Sequence, residues 1–244
     1  VLDDLSTGFE DALPAGCLVK GDLGDRGVLD SLFTSKEFHC VMHFAAKIFV
    51  GESETCPLEY YENNAVKTHT LLSAMIQHDV KRFIFSSTAA VYGNPETVPI
   101  TEDSQLKPIN PYGNTKFMVE LLLEDCAKAY GLRYAALRYF NASGAAPDAS
   151  IGESHNPENH LIPLVLDAAA GTRDHISIFG TDYDTSDGTC IRDYIHVVDL
   201  VQAHILAMEE LERTPQLKLN LGTSNGFSVR EIIEIAEQVT GKKI

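Results

Sequence analysis

The sequence predicts an α/β protein: a doubly wound parallel sheet followed by a smaller α/β lobe. Short apolar runs alternate with longer stretches of helical period from residue 17 to residue 140, the pattern of parallel β-α-β units. Of the 244 residues, 44% are hydrophobic, enough for a sizeable core. After Asn141 the alternation breaks into a Gly/Ala/Pro/Asp-rich stretch that runs to about Pro157.

Taken in order, "CLVKGDL" (17–23) reads as a strand, 25–36 as a helix and "HCVMHFA" (39–45) as a strand. A long helix follows Pro57 and carries Leu71, Leu72, Met75 and Ile76 on one face. "RFIFSST" (82–88) is the next strand; a helix over 111–130 starts after Pro108 and is closed by Gly131; "RYAALRYF" (133–140) is a strand. Beyond the break come a helix over 161–170, a short strand "ISIFG" (176–180) and a strongly periodic helix over 196–212. A strand "KLNLG" (218–222) and a helix capped by Ser228 complete the chain. The boundary falls at Asn141, giving domains 1–141 and 142–244, with 196–222 returning to the first.

The formal charge of −16 argues against a nucleic-acid partner, which needs a basic surface. No run of 18 apolar residues is present, so no membrane span is expected, and "VLDDLSTGFED" lacks the basic start and apolar core of a signal peptide. The five cysteines, Cys17, Cys40, Cys56, Cys126 and Cys190, are odd in number, scattered and without a C-x-x-C pair, so they read as free thiols in a reducing cytoplasm.

Chemistry concentrates in "PINPYGNTK" (108–116). Tyr112 and Lys116 are four apart at the start of a helix, so phenol and ammonium reach one small volume. A free tyrosine, with a pKa near 10, is no base at neutral pH, but a fixed cation favours the phenolate. Lowering the pKa by roughly 3 units takes about 4 kcal/mol, within reach of a lysine aided by a second positive charge. Ser86, Ser87 and Thr88 end the preceding strand at the edge where open α/β sheets bind ligands, and a hydroxyl there can relay a proton. Y-x-x-x-K by itself arises often by chance, and strand-end hydroxyls commonly cap turns. The order strand, hydroxyls, loop, Y-x-x-x-K helix, strand and "RYFN" raises the odds.

With these residues in place, the chain resembles the extended short-chain dehydrogenase/reductase family and, within it, the UDP-glucose 4-epimerases. The resemblance runs through "VLDDLSTG", "GDLGD", "VMHFAA", "PLEYYENN", "FIFSSTAAVYG", "NPYGNTK", "LRYFNASGA", "HLIP", "IFGTDYDTSDGTCIRDYIHVVDL" and "LNLGT". It implies a Rossmann-like NAD-binding domain (1–141), a substrate-binding lobe (142–244), tightly held NAD, a UDP-sugar substrate and a 4-keto intermediate.

The resemblance also implies roles for single residues. Asp3 resembles the acid that takes the adenosine ribose hydroxyls and favours NAD over NADP; Asp22 and Leu23 resemble adenine-side contacts. Phe44, Ala45 and Ala46 would line the diphosphate and nicotinamide-ribose side, with Asn63, Ser86 and Tyr139 as further cofactor contacts. Thr88, Tyr112 and Lys116 would be catalytic, the second positive charge being the oxidised nicotinamide. Asn141 would contact the sugar nucleotide, and Leu161, Ser177, Phe179 and Arg192 its uridine diphosphate part. Arg192 can grip a diphosphate bidentately, or pair with Asp187 or Asp193 at the surface. His160 reads equally well as a helix cap. The family's homodimers pair through two helices, here 57–79 and 111–130.

Departures from the family pattern matter too. Asp3 has only two residues ahead of it, where a glycine-rich unit of roughly 20 residues is expected, and the family's last substrate-side motif would lie beyond Ile244. The expectation is a fragment of a longer protein with weak or no NAD binding by itself. Lys47 stands one position before the family's usual lysine. Sister dehydratases carry an Asp-Glu pair where Ala89 and Ala90 stand, which argues against elimination chemistry. Epimerases of UDP-N-acetylhexosamines or UDP-pentoses share every motif, while a cofactor-sensing or scaffold protein would not need the intact Thr88, Tyr112 and Lys116. No metal site is expected: "DYDTSDG" (182–188) places its carboxylates at the first, third and sixth positions and reads as a solvated turn.

Overall fold

A computed structural model describes all residues, 1–244. The chain forms two compact units, one of Val1–Tyr139 with Gln202–Leu221 and one of Phe140–Val201 with Gly222–Ile244.

In the first unit, β1 (Leu2–Asp3) pairs in parallel with β2 (Val19–Lys20). Helix α1 (Arg26–Ser35) follows, its free N–H groups at Gly27 and Val28 capped by the Asp25 carboxylate. After β3 (Val41–His43) come α2 (Val50–Thr55), α3 (Pro57–Tyr61) and α4 (Lys67–Gln77), the last two joined by a π-helical turn, Glu62–Val66. Then come β4 (Arg82–Thr88), a 3-10 turn (Ala89–Tyr92), α5 (Pro111–Tyr130) and β5 (Arg133–Tyr139). Strands β3, β4 and β5 and the later β8 (Gln216–Leu221) form one parallel sheet in the order β3-β4-β5-β8.

Side chains of β4 and β5 alternate between two cores, as a sheet covered on both faces requires. Phe83, Phe85, Tyr134 and Ala136 pack with Leu29 of α1, Leu71, Leu72 and Met75 of α4, and Val119 and Leu123 of α5. Ile84, Ala135 and Leu137 face the other way, against Ala207 and Leu211. This is the doubly wound, Rossmann-like arrangement that the sequence predicts.

The second unit holds β6 (Asn141–Ser143), α6 (Leu161–Ala170), β7 (Ile191–His196), β9 (Gly226–Ser228) and α8 (Val229–Thr240). β7 pairs in parallel with β6 and antiparallel with β9. Ser228 caps α8 in a capping box with Glu231. The division between the units falls inside α7 (Val197–Glu210).

Several boundaries differ from the sequence reading. Asn141 belongs to the second unit because β6 ladders with Tyr194 of β7, so the first unit ends at Tyr139. The returning segment is Gln202–Leu221 rather than 196–222. "ISIFG" is not a strand: Ile176 and Ile178 turn inward and Ser177 and Phe179 outward, but both neighbours of β7 are already taken, and Gly180 bends away at φ +101. The 17–23 and 39–45 strands shorten to two and three residues. No helix is long and apolar enough to cross a membrane.

A buried ion pair locks α5 to the sheet. Glu120 of α5 and Arg138 of β5, each 1% exposed in its side chain, meet at 2.7 Å (Nη2 to Oε2) and 3.1 Å (Nε to Oε1). Arg138 also donates to the Tyr92 hydroxyl at 2.7 Å, and that hydroxyl donates to Asn220 of β8 at 2.7 Å. Removing one member strands a buried charge, so Glu120→Ala should lower unfolding free energy by about 3–5 kcal/mol in urea titrations. The double change Glu120→Leu with Arg138→Met should recover most of that loss; a single-variant loss under about 1 kcal/mol would mean the pair behaves like a surface one.

Candidate active site

Helix α5 begins under tight constraints. Asn110 accepts the N–H of Gly113, and Pro111 occupies the first helical position, where its missing N–H costs nothing. A Cβ at Gly113 would stand 2.8 Å from the Ala90 carbonyl, so only glycine lets the helix start this close to the end of β4. From there Tyr112, Lys116 and Glu120 form one stripe, four residues apart, facing β4.

Each residue of the stripe meets the end of β4. Glu120 accepts from the Ser87 hydroxyl at 2.5 Å. Lys116, 3% exposed, donates to the Ser86 carbonyl at 2.8 Å and lies 5.0 Å from the Phe85 ring centroid and 5.9 Å from that of Tyr112. Tyr112 is hydrogen-bonded to the Thr88 hydroxyl. Thr88 also accepts the Ala90 N–H at 3.1 Å, so it both caps the 3-10 turn and engages the phenol. Thr88, Tyr112 and Lys116 thus converge as the sequence expects.

Burial sets the electrostatics of this pair. Burial raises the Tyr112 phenol above its usual value, and the Thr88 hydrogen bond only partly offsets this. Burial also lowers Lys116 to about 7, because the ammonium has exchanged water for one carbonyl and an aromatic face. His43, which ends β3 and bonds to Thr68 at 2.8 Å, is pushed down to about 3 by burial and then by Lys116, and so is neutral. The lysine therefore does not hold the phenol ionised by itself, and a second cation is needed to do so.

The remaining cofactor candidates also belong to the first unit. Asp3 ends β1 and accepts the Leu5 N–H at 2.8 Å. Asp22 is held below the usual carboxylate range by Lys67, bonded at 2.6 Å, and by the Gly24 N–H; Leu23 packs on the core beside it. Phe44, 57% exposed, Ala45 and Ala46 lead out of β3. Asn63 sits in the π-helical turn and donates to Asn64 at 3.1 Å. Tyr139 ends β5, bonded to His204 and to Ser86, and burial raises its phenol. Lys47 is bound to Glu59 at 2.6 Å.

This chain's donors fit a dinucleotide. Two N–H bonds of the buried Lys116 ammonium remain for ribose hydroxyls after Ser86, and Asp3 retains carboxylate acceptors at a strand end. His204, which touches both the Phe44 ring (centroids 4.9 Å apart) and Tyr139, was missed in the sequence; its place in a periodic helix reads as core.

In the second unit, Asn141 on β6 donates to the Asp193 carbonyl at 2.8 Å. Leu161 opens α6, Ser177 and Phe179 (88% exposed) lie on the irregular segment, and Arg192 on β7 donates to the Ile191 carbonyl at 2.8 Å. Arg192 is paired with neither Asp187, which takes Ser228 and Thr189, nor Asp193, which takes Thr223 and Ser224. His160 makes no side-chain cap to α6.

The lowered Lys116 pKa has a sign that can be checked. Unfolded, the amine titrates near 10; folded, near 7. Between those values the unfolded chain binds the extra proton, so stability rises with pH through this window, and the penalty is complete below about pH 7. The unfolding free energy relative to Lys116→Met should therefore climb from pH 7 toward 10, at up to about 1.4 kcal/mol per pH unit. Parallel pH curves for the two proteins would contradict this.

Residues 1–222 match the profile of the NAD dependent epimerase/dehydratase family. The UDP-glucose 4-epimerase of Halalkalibacterium halodurans is 53% identical over 245 residues, covering 100% of this chain and 73% of that protein. That of Rhizobium meliloti is 49% identical, covering 98% and 73%. Among solved structures, UDP-glucose 4-epimerase from Brucella ovis in complex with NAD superposes with a TM-score of 0.97 at 49% identity, over 100% of this chain and 75% of that one. The enzyme from Bifidobacterium longum, in complex with NAD+ and UDP, gives 0.94 at 36% identity, over 100% and 76%. With a Y-x-x-x-K helix set against the hydroxyl end of a parallel strand, and with this coverage, the chain belongs to the NAD dependent epimerase/dehydratase family.

Proposed function

We propose that the protein is a UDP-glucose 4-epimerase that interconverts UDP-glucose and UDP-galactose with NAD, an isomerase of galactose metabolism. The observation that carries this reading is the convergence of Thr88 and Lys116 on Tyr112 at the C-terminal edge of the sheet. Relatives with that name match at 45–53% identity along essentially the whole chain. Ala89 and Ala90 form the 3-10 turn after Thr88 and offer no acid or base for elimination.

Bound NAD supplies reversible hydride acceptance at the sugar's fourth carbon. Asp3 takes the adenosine ribose, Asp22 and Leu23 flank the adenine, and Phe44, Ala45, Ala46, Asn63, Ser86 and Tyr139 line the rest of the cofactor. Lys116 keeps its bond to Ser86 and donates its remaining N–H groups to the nicotinamide ribose. Tyr112, ionised beside that positive ring, takes the proton of the 4-hydroxyl, with Thr88 orienting or relaying it, and returns the proton after the 4-keto sugar presents its other face. Asn141, Leu161, Ser177, Phe179 and Arg192 hold the nucleotide part, the guanidinium gripping the diphosphate.

We further propose that two copies pair through α3 to α5, where Leu58, Val66, Met118 and Leu121 are exposed, and that the protein works in the cytoplasm, which suits its five free cysteines.

In the full-length protein, Tyr112→Phe should lower kcat for UDP-galactose conversion roughly 10²- to 10⁴-fold while NAD still co-purifies. Undiminished turnover in that variant would remove the proposed base, and absence of UDP-galactose conversion in the unaltered full-length protein would remove the substrate assignment.

A further inference from the structure

The irregular segment before α6 gathers four metal-ligating side chains within eight residues. Glu153, His155, Glu158 and His160 each offer one ligand atom, and these atoms all lie within 4.8 Å of one another. His160 Nδ1 is 2.7 Å from Glu153 Oε1 and 3.1 Å from Glu158 Oε1; His155 Nδ1 is 3.3 Å from both Glu153 Oε1 and Glu158 Oε2. Four ligands around a zinc ion at about 2.0–2.1 Å stand about 3.3 Å apart along each edge of the tetrahedron. The four nitrogen-to-oxygen separations, 2.7 to 3.3 Å, approach that edge length from below, the two to Glu158 being made to different oxygens of its carboxylate.

We infer that Glu153, His155, Glu158 and His160 bind a divalent transition-metal ion, zinc being the one that suits two imidazoles and two carboxylates in a four-coordinate site. Imidazole nitrogens disfavour calcium and magnesium, which take oxygen shells.

The local backbone prepares this set. Glu158 Oε1 accepts the N–H groups of Asn159 and His160, both at 2.8 Å, which fixes the carboxylate beside the His160 ring. The two imidazoles lie with centroids 4.9 Å apart at 57°, so each points a ring nitrogen at the carboxylates instead of stacking face to face. Since His160 immediately precedes Leu161 and does not cap α6, an ion here would tie the loop of residues 153–160 to the first turn of that helix. Such a staple supplies order to a segment that has little apolar surface of its own to bury. The spacing E-x-H-x-x-E-x-H is visible in the sequence, yet it matches no common zinc pattern of paired cysteines or paired histidines. Only the fold shows that its donors converge.

The test uses full-length protein purified without a histidine tag. After dialysis against metal-free buffer it should retain close to one zinc per chain by elemental analysis. Apoprotein titrated with Co2+ should develop the intense visible absorption of a four-coordinate ion. The double variant His155→Ala/His160→Ala should bind Co2+ at least ~100-fold more weakly, beyond what losing a residue that only hydrogen-bonds to a ligand would cost. Should that variant fail to fold, the single change His155→Gln should give the same loss of the four-coordinate spectrum, with far-UV circular dichroism unchanged. Equal Co2+ binding by wild type and variant would overturn the proposal. So would a wild-type protein that retains no zinc and gives only the faint spectrum of a six-coordinate ion, which would leave the cluster as histidine–carboxylate hydrogen bonds alone.

Discussion

The site depends on how α5 lies against β4, and the buried pair of Glu120 and Arg138 fixes that placement. Tyr112, Lys116 and Glu120 share one face of the helix, and each is bonded to a different residue among the last three of β4. Sliding α5 by one residue would turn this face by about 100° and leave two charges and a phenol buried without partners. Such a helix has one acceptable register. Gly113 and the Asn110 cap hold its first turn in the same register from the other end, and the phenol inherits its position from both.

The price of that placement is electrostatic. Lys116 is buried against an aromatic ring and a single carbonyl, so its ammonium is close to losing its proton at neutral pH. The phenol is raised by the same enclosure. A site with these two groups and no further charge is a poor base. With the proposed NAD bound, an oxidised nicotinamide would bring the positive charge that the phenolate needs, coupling reactivity to the coenzyme, and its reduction would take that charge away. Base strength would then follow the redox state of the ring through each half of the reaction.

Much of this was legible from residue order. β4 and α5 occupy the residues that apolar runs, prolines and Gly131 define, and Ser228 caps α8 as its position before an apolar period suggests. What periodicity could not supply was pairing. "ISIFG" alternates like a strand and half-buries alternate residues like one, but pairs with no neighbouring strand, whereas "IRDYIH", read only as part of a family motif, becomes β7 because β6 and β9 flank it. The net direction of the Tyr112 and Lys116 shifts was also out of reach, since spacing sets proximity and only burial decides which form of each group is favoured. The histidine–carboxylate cluster near α6 was hidden for a related reason: sequence separation says little about where four side chains in an irregular loop point.

The most direct measurement is a spectroscopic titration of the Tyr112 phenol in full-length protein, obtained as the absorbance difference from the Tyr112→Phe variant, with and without oxidised NAD. The account predicts ionisation above the usual tyrosine range without coenzyme and at clearly lower pH with it. A phenol that ionises at the same pH in both states would contradict it.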